Sequence, residues 1–273
     1  MKSIVKTQFM QEYVQIIDTM YHLGWDERSG GNVSYLLKSE ELKPYLHKLK
    51  PEREIKLNID AKYLSGKYFL VTGSGKHFRN VKTDPESNCG IIEISKDGSS
   101  ASILWGLKHG AVPTSELDSH LLSHIERLKL DRNHRVIIHT HATNLVSMTL
   151  VHNLDEADFS KTLWKMCSEC IIVFPEGVGI IPWMIPGNKE IGLETAKKMT
   201  QSRIIIWPMH GVFGSGNSLD DAFGLIETAE KAAEIYLKIA GLEIKQMITE
   251  QQLLGIAEAF KVKPAFPLKK QEG

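Results

Sequence analysis

The pair His139-Thr140-His141 follows the apolar run Val136-Ile137-Ile138. On a β-strand, residues two apart point to the same face, so both imidazoles can converge on one ion. On a helix the same spacing sends them to opposite sides. A catalytic zinc takes three protein ligands and keeps one position open. His210 is the natural third ligand, because it ends the apolar segment Ile204-Ile205-Ile206-Trp207 and precedes Gly211. A glycine there permits a tight turn and leaves room beside an ion. Spacing alone does not separate this site from core or surface histidines on a strand with a third elsewhere. Three imidazoles also suit Co²⁺ or Fe²⁺. His120 and His124 share a chelating i,i+4 spacing on a helix but lack the strand-end setting. Glu116 follows Thr114-Ser115 at a helix start, where the helix dipole favours a carboxylate. Taken alone, stabilising that helix end accounts for it better, and the nearby hydroxyls, backbone amides and metal ligands make it the candidate general acid/base.

Two short glycine-rich turns, Ser29-Gly30-Gly31-Asn32 and Thr72-Gly73-Ser74-Gly75-Lys76, can present several backbone N–H groups to a phosphate. Neither is a Walker sequence: Lys76 is followed by His77, and the required earlier glycine is absent. Gly211 to Gly216 lacks the βαβ context of a dinucleotide fingerprint. Cys167 and Cys170 have CxxC spacing without a second pair, which points to two partly buried thiols on a helix. Met148, Met166 and Met199 read as core filling.

Several elements must position these groups. Phe9, Met10, Tyr13, Ile16, Ile17 and Met20 recur at helical spacing, which predicts an opening amphipathic helix. Strands are expected at Val33–Leu37, Tyr68–Val71, Gly90–Ile94, Ala101–Trp105, Arg135–His141, Ile171–Phe174 and Arg203–Met209. Residues 38–65 read as a charged, irregular excursion. Thr114 or Ser115 is expected to cap a helix through Leu117, Leu121, Leu122 and Ile125, with Ser115 and Asp118 as an approximate capping box. A long helix over about Leu219 to Ala240 and a polar terminal helix and tail complete the pattern. This mixture points to one α/β domain over residues 1–273.

The bulk composition agrees. The chain of 273 residues is long enough for a sizeable core without disulfide staples. Lys plus Arg equals Asp plus Glu at 33 each, which argues against a nucleic-acid-binding protein. Gln11, Glu12 and Asp18 interrupt the N-terminal apolar residues, unlike a signal peptide, and no apolar run approaches the ~20 residues of a membrane span. With three cysteines, this predicts a reducing, cytoplasmic setting.

The segments Gly-Gly-Asn-Val-Ser, Thr-Gly-Ser-Gly-Lys, Val-Pro-Thr-Ser-Glu-Leu, His-Thr-His-Ala-Thr-Asn and Met-His-Gly-Val-Phe-Gly together resemble the class II aldolase/adducin family over nearly the whole chain. The resemblance implies a central, mainly antiparallel sheet covered by helices, and a homotetramer. It implies one Zn²⁺ held by His139, His141 and His210, with Glu116 as the catalytic carboxylate. Ser29, Gly31, Asn32, Ser74, Gly75, Thr114 and Ser115 would then surround the substrate phosphate or its loops. Where the family pattern has Asn, this chain has Ser29, which reaches less far. Glu169 matches a carboxylate that enters the site from a neighbouring subunit. The implied reaction is reversible cleavage of a phosphorylated sugar through a metal-stabilised enediolate. L-rhamnulose 1-phosphate would give dihydroxyacetone phosphate and L-lactaldehyde. Alternatives are an aldolase for L-fuculose 1-phosphate, a pentose phosphate epimerase, or a non-catalytic adducin-like scaffold.

Overall fold

The computed structural model describes residues 3–269. Among them, nine strands form one sheet: β1 (Asn32–Leu37), β2 (Arg53–Lys56), β3 (Tyr68–Thr72), β4 (Cys89–Ile94), β5 (Ser100–Gly106), β6 (Val136–Thr140), β7 (Gly179–Ile180), β8 (Ile204–Trp207) and β9 (Gly211–Gly216). Their spatial order is β2-β5-β4-β3-β1-β6-β9-β8-β7. Every neighbouring pair is antiparallel except β7–β8. The helices are α1 (Gln8–His22), α2 (Ser39–Leu42), α3 (Phe78–Val81), α4 (Pro85–Asn88), α5 (Leu117–Leu130), α6 (Thr143–Val151), α7 (Glu156–Met166), α8 (Ser168–Val173), α9 (Lys189–Met199), α10 (Leu219–Ile239) and α11 (Glu250–Phe260).

Both faces of the sheet are covered, which is why its central strands are apolar runs rather than alternating ones. Val136 and Ile138 of β6, with Ile204 and Ile206 of β8, pack into the core that includes α1, α6 and α10. Ile137, Ile205 and Trp207 point to the other face, against Ile191 and Met199 of α9. On that face, Phe69 and Val71 of β3 meet Leu117, Leu121 and Ile125 of α5. The period-2 geometry of each strand thus divides the same residues between two cores. Polar positions follow this rule as well: Asn32 and Ser34 of β1 turn toward α5 while Val33 and Tyr35 enter the α1 core.

Several expectations change. Ile171–Phe174 is not a strand: Ile171 lies in helix α8, whose Cys170 and Ile171 are buried. Four apolar residues carry too little periodicity to separate the two states, and packing decides. The 38–65 excursion contains an edge strand, β2, paired with β5. The strand carrying the histidines ends at Thr140, so His141 lies just beyond it. Glu116 itself occupies the N-cap of α5, without a side-chain cap and without the Ser115/Asp118 box. Thr114 is instead drawn toward β3, where its N–H donates to the Thr72 carbonyl at 2.9 Å. The opening helix and the long α10 form as expected. Residues 270–273 of the tail lie outside those described. No helix among the described residues is long and apolar enough to cross a membrane.

Candidate active site

Strand β6 and the β8–β9 turn bring the three histidines together. One ring nitrogen from each of His139, His141 and His210 lies within 4.8 Å of the others. Met209, immediately before His210, adopts a left-handed φ of 56°, an uncommon conformation for a side-chain-bearing residue. Gly211 follows, and a Cβ there would sit 2.6 Å from the Thr140 carbonyl oxygen and 2.8 Å from His139 Cε1. The turn therefore works only with glycine at 211, and it directs His210 at the pair on β6. Behind them, Phe213 stacks on His139 with ring centroids 4.6 Å apart, and Trp207 lies 5.0 Å away.

The protonation chemistry of these rings suits a divalent cation. His139 Nδ1 lies 3.2 Å from the Val212 carbonyl, to which its N–H donates, leaving Nε2 buried and without a hydrogen-bond partner. His141 Nδ1 is held by the Glu27 carboxylate at 2.7 Å, which leaves its Nε2 free. His210 Nδ1 is likewise buried and unpartnered. Buried ring nitrogens without partners are costly unless something occupies them. Carbonyl and carboxylate partners on the opposite ring nitrogens are the usual supports of metal-binding imidazoles. Burial, reinforced by the neighbouring histidines, pushes His139 well below the ordinary imidazole range. Burial first, then His141, brings His210 down to about 4. Both rings are therefore neutral at physiological pH, the form that binds metal.

Glu116 is placed beside this cluster by the start of α5. Its Oε2 lies 3.5 Å from His139 Nε2 and accepts a hydrogen bond from Asn32 Nδ2 at 2.8 Å. Asn32 reaches it because it is directly opposite His139 in the β1–β6 ladder. Burial raises the Glu116 pKa, while the Asn32 hydrogen bond and the nearby His141 lower it. A carboxylate under such opposing influences is suited to exchanging a proton.

A cavity of about 520 Å³ joins these groups to the glycine-rich turns. Its lining includes Ser29, Gly31, Asn32, Ser74, Gly75, Thr114, Ser115, Glu116 and all three histidines. Asn32, Glu116 and His139 are buried at the floor, whereas Ser29, Ser74, Gly75 and Ser115 are exposed at the mouth. The two sides of the mouth are tied together: Ser74 N–H donates to the Val112 carbonyl at 2.9 Å, and Gly73 bridges to Pro113. Gly31 has φ of 74°, and a Cβ there would fall 1.9 Å from Asp26 Oδ1.

Glu169 does not line this cavity within one chain. It is exposed on α8, where it accepts a hydrogen bond from Cys167 Sγ at 2.8 Å. His120 and His124 bind Ser34 rather than joining the three-histidine cluster. Two supporting residues lie in the segment Gly24–Arg28, which shares the family resemblance, but the sequence does not assign their roles. Glu27 orients His141, and the buried Asp26 accepts a hydrogen bond from Thr140 Oγ1 at 3.2 Å. Burial raises Asp26 to about 8.

Known proteins share this arrangement of elements. Residues 11–237 match the family model described as the class II aldolase and adducin N-terminal domain. A rhamnulose-1-phosphate aldolase of Enterococcus faecalis is 50% identical over 263 residues, covering 96% of this chain and 94% of the relative. One from Yersinia pseudotuberculosis is 46% identical, covering 97% of each. The structure of a sugar-phosphate aldolase from Thermotoga maritima, 26% identical, superposes with a TM-score of 0.74 over 86% of this chain and 96% of that one. An L-fuculose 1-phosphate aldolase, 21% identical, has the same fold with a TM-score of 0.62, covering 96% of this chain and 98% of that one. With the matched region spanning all nine strands of the sheet and every residue of the cavity, the chain belongs to the class II aldolase and adducin family.

Proposed function

We propose that this chain is a zinc-dependent aldolase that reversibly cleaves L-rhamnulose 1-phosphate to dihydroxyacetone phosphate and L-lactaldehyde. The observation that carries the reading is a single cavity in which free ring nitrogens of three histidines adjoin a buried carboxylate and two hydroxyl-bearing glycine turns. The names of relatives near 50% identity over almost the full length support the choice of sugar. His139, His141 and His210 would hold the cation, which when bound supplies Lewis-acid stabilisation of negative charge on the ketose oxygens.

The protein's own groups do the rest. The Ser29–Asn32 and Thr72–Lys76 turns, with Thr114 and Ser115, hold the phosphate and so fix the reacting carbons over Glu116. On cleavage the C4 hydroxyl gives its proton to the Glu116 carboxylate, the C3–C4 electron pair stays with the three-carbon fragment, and Glu116 then delivers that proton to C3. In the reverse direction Glu116 removes that proton. The aromatic wall of Trp207 and Phe213 keeps water from the inner side of His139. The proposal includes a single domain, a homotetramer and a cytoplasmic setting. The exposed position of Glu169, away from its own cavity, supports its use by a neighbouring subunit.

The test is dihydroxyacetone phosphate release from L-rhamnulose 1-phosphate and from L-fuculose 1-phosphate, compared as kcat/KM. A clear preference for the rhamnulose ester is expected. A preference for the fuculose ester, or epimerisation of a pentose phosphate without cleavage, contradicts the assignment.

A further inference from the structure

A buried line of polar side chains runs from Glu116 through the space between β1 and α5 to the far end of the helix. Asn32 Nδ2 donates to Glu116 Oε2 at 2.8 Å, and Asn32 Oδ1 is hydrogen-bonded to His120 Nε2. His120 Nδ1 lies 2.6 Å from Ser34 Oγ, and Ser34 Oγ lies 2.8 Å from His124 Nε2. His124 Nδ1 lies 2.9 Å from His134 Nε2. Asn32, Ser34, His120, His124 and His134 are all buried. None of them is a member of the metal cluster.

The donors and acceptors allow one sense for this chain. An ionised carboxylate only accepts, so the Asn32 amide must present its NH₂ to Glu116 and its oxygen to His120. His120 Nε2 must then carry the proton, which leaves Nδ1 bare to accept from the Ser34 hydroxyl. That hydroxyl has spent its hydrogen and must accept from His124 Nε2–H. His124 Nδ1 is then bare and accepts from His134 Nε2–H. Each neutral ring has one N–H, so the whole series is satisfied only if all three are Nε2–H tautomers. Burial supports neutrality, lowering His120 and His134 each to about 3.

We propose that Ser34, His120 and His124 are positioning residues whose donor chain fixes the Asn32 amide and, through it, holds Glu116 Oε2 in place for proton transfer. The inference rests on the aldolase reading for its kinetic consequence but not for its proton pattern. A satisfied series of this kind polarises in one direction and strengthens each bond in it. Loss of a middle member leaves buried nitrogens unpaired and frees the Asn32 amide to turn, which disturbs Glu116 while leaving Ser29–Gly31 and the Thr72–Lys76 turn in place.

Two measurements test this. Neutron diffraction of the metal-loaded enzyme near neutral pH should show deuterons on Nε2, and none on Nδ1, of His120, His124 and His134. A deuteron on Nδ1 of His120 or His124 overturns the proposal, whatever reaction the enzyme performs. Ser34→Ala should lower kcat for ketose 1-phosphate cleavage by about ten-fold or more, with KM and bound metal nearly unchanged. An unchanged kcat in the folded variant overturns the positioning role. Absence of cleavage by the unaltered enzyme, together with the expected deuterons, would instead fault the assigned reaction.

Discussion

At Glu116 two opposing influences meet in one side chain. Burial favours the neutral acid, and the Asn32 amide with nearby His141 favours the carboxylate. Replacing Glu116 with Gln keeps the shape but removes the exchangeable charge. Turnover is expected to fall about 10²–10⁴-fold with metal still bound, as checked by steady-state kinetics and elemental analysis. His139→Ala should lose metal and activity together, because His139 supplies a buried nitrogen that nothing else replaces. Strand spacing and a following glycine made the three histidines candidates, but only the family resemblance separated them from ordinary strand histidines, and the fold then brings their ring nitrogens together. Glu27 and Asp26 were not: two adjacent acids in a loop look alike in any sequence. Only the chain folding back onto β6 puts one against His141 and buries the other.

Among the elements, the β8–β9 turn has the least freedom. Met209 is left-handed, and Gly211 has the Thr140 carbonyl and the His139 ring where a Cβ would be. Gly211→Ala should therefore weaken metal binding by about 10–100-fold, read from metal retention against a competing chelator. At the opposite wall, Ser74 is exposed on a turn anchored to Val112. Ser74→Ala should raise KM for the phosphorylated ketose with little change in kcat. An equal loss with a non-phosphorylated ketose would remove the phosphate role. Elements with long periodic patterns, α1 and α10, were legible in the sequence. The short apolar run at Ile171 was not, because Cys170 and Ile171 are buried by neighbours distant in sequence. The start of α5 was misplaced for a similar reason, since Thr114 pairs with Thr72 rather than capping the helix.

At the scale of the whole molecule, three buried imidazoles beneath the sheet couple folding to pH. His120 and His134 each have a folded value of about 3 against an ordinary 6.5, and burial holds His124 well below its ordinary value. At these three rings the unfolded chain binds more protons below about 6.5, which outweighs the one proton the folded chain keeps on Asp26 at about 8, so stability falls as pH drops through that point and keeps falling toward about 3. Each such ring costs about 1.4 kcal/mol by about pH 5.5. A thermal midpoint that stays constant between about pH 7.5 and 5.5 would contradict this. The sheet joins the pieces of the site: β1, β6 and the β8–β9 turn are successive neighbours in it, and they carry Asn32, the His139 pair and His210. The most direct test of the central claim is dihydroxyacetone phosphate release from L-rhamnulose 1-phosphate by enzyme stripped with a chelator and then resupplied with zinc. Activity should vanish on stripping and return in proportion to zinc bound, reaching its maximum at one ion per chain. Full activity in the stripped enzyme, or one bound zinc per chain without cleavage, would contradict the account.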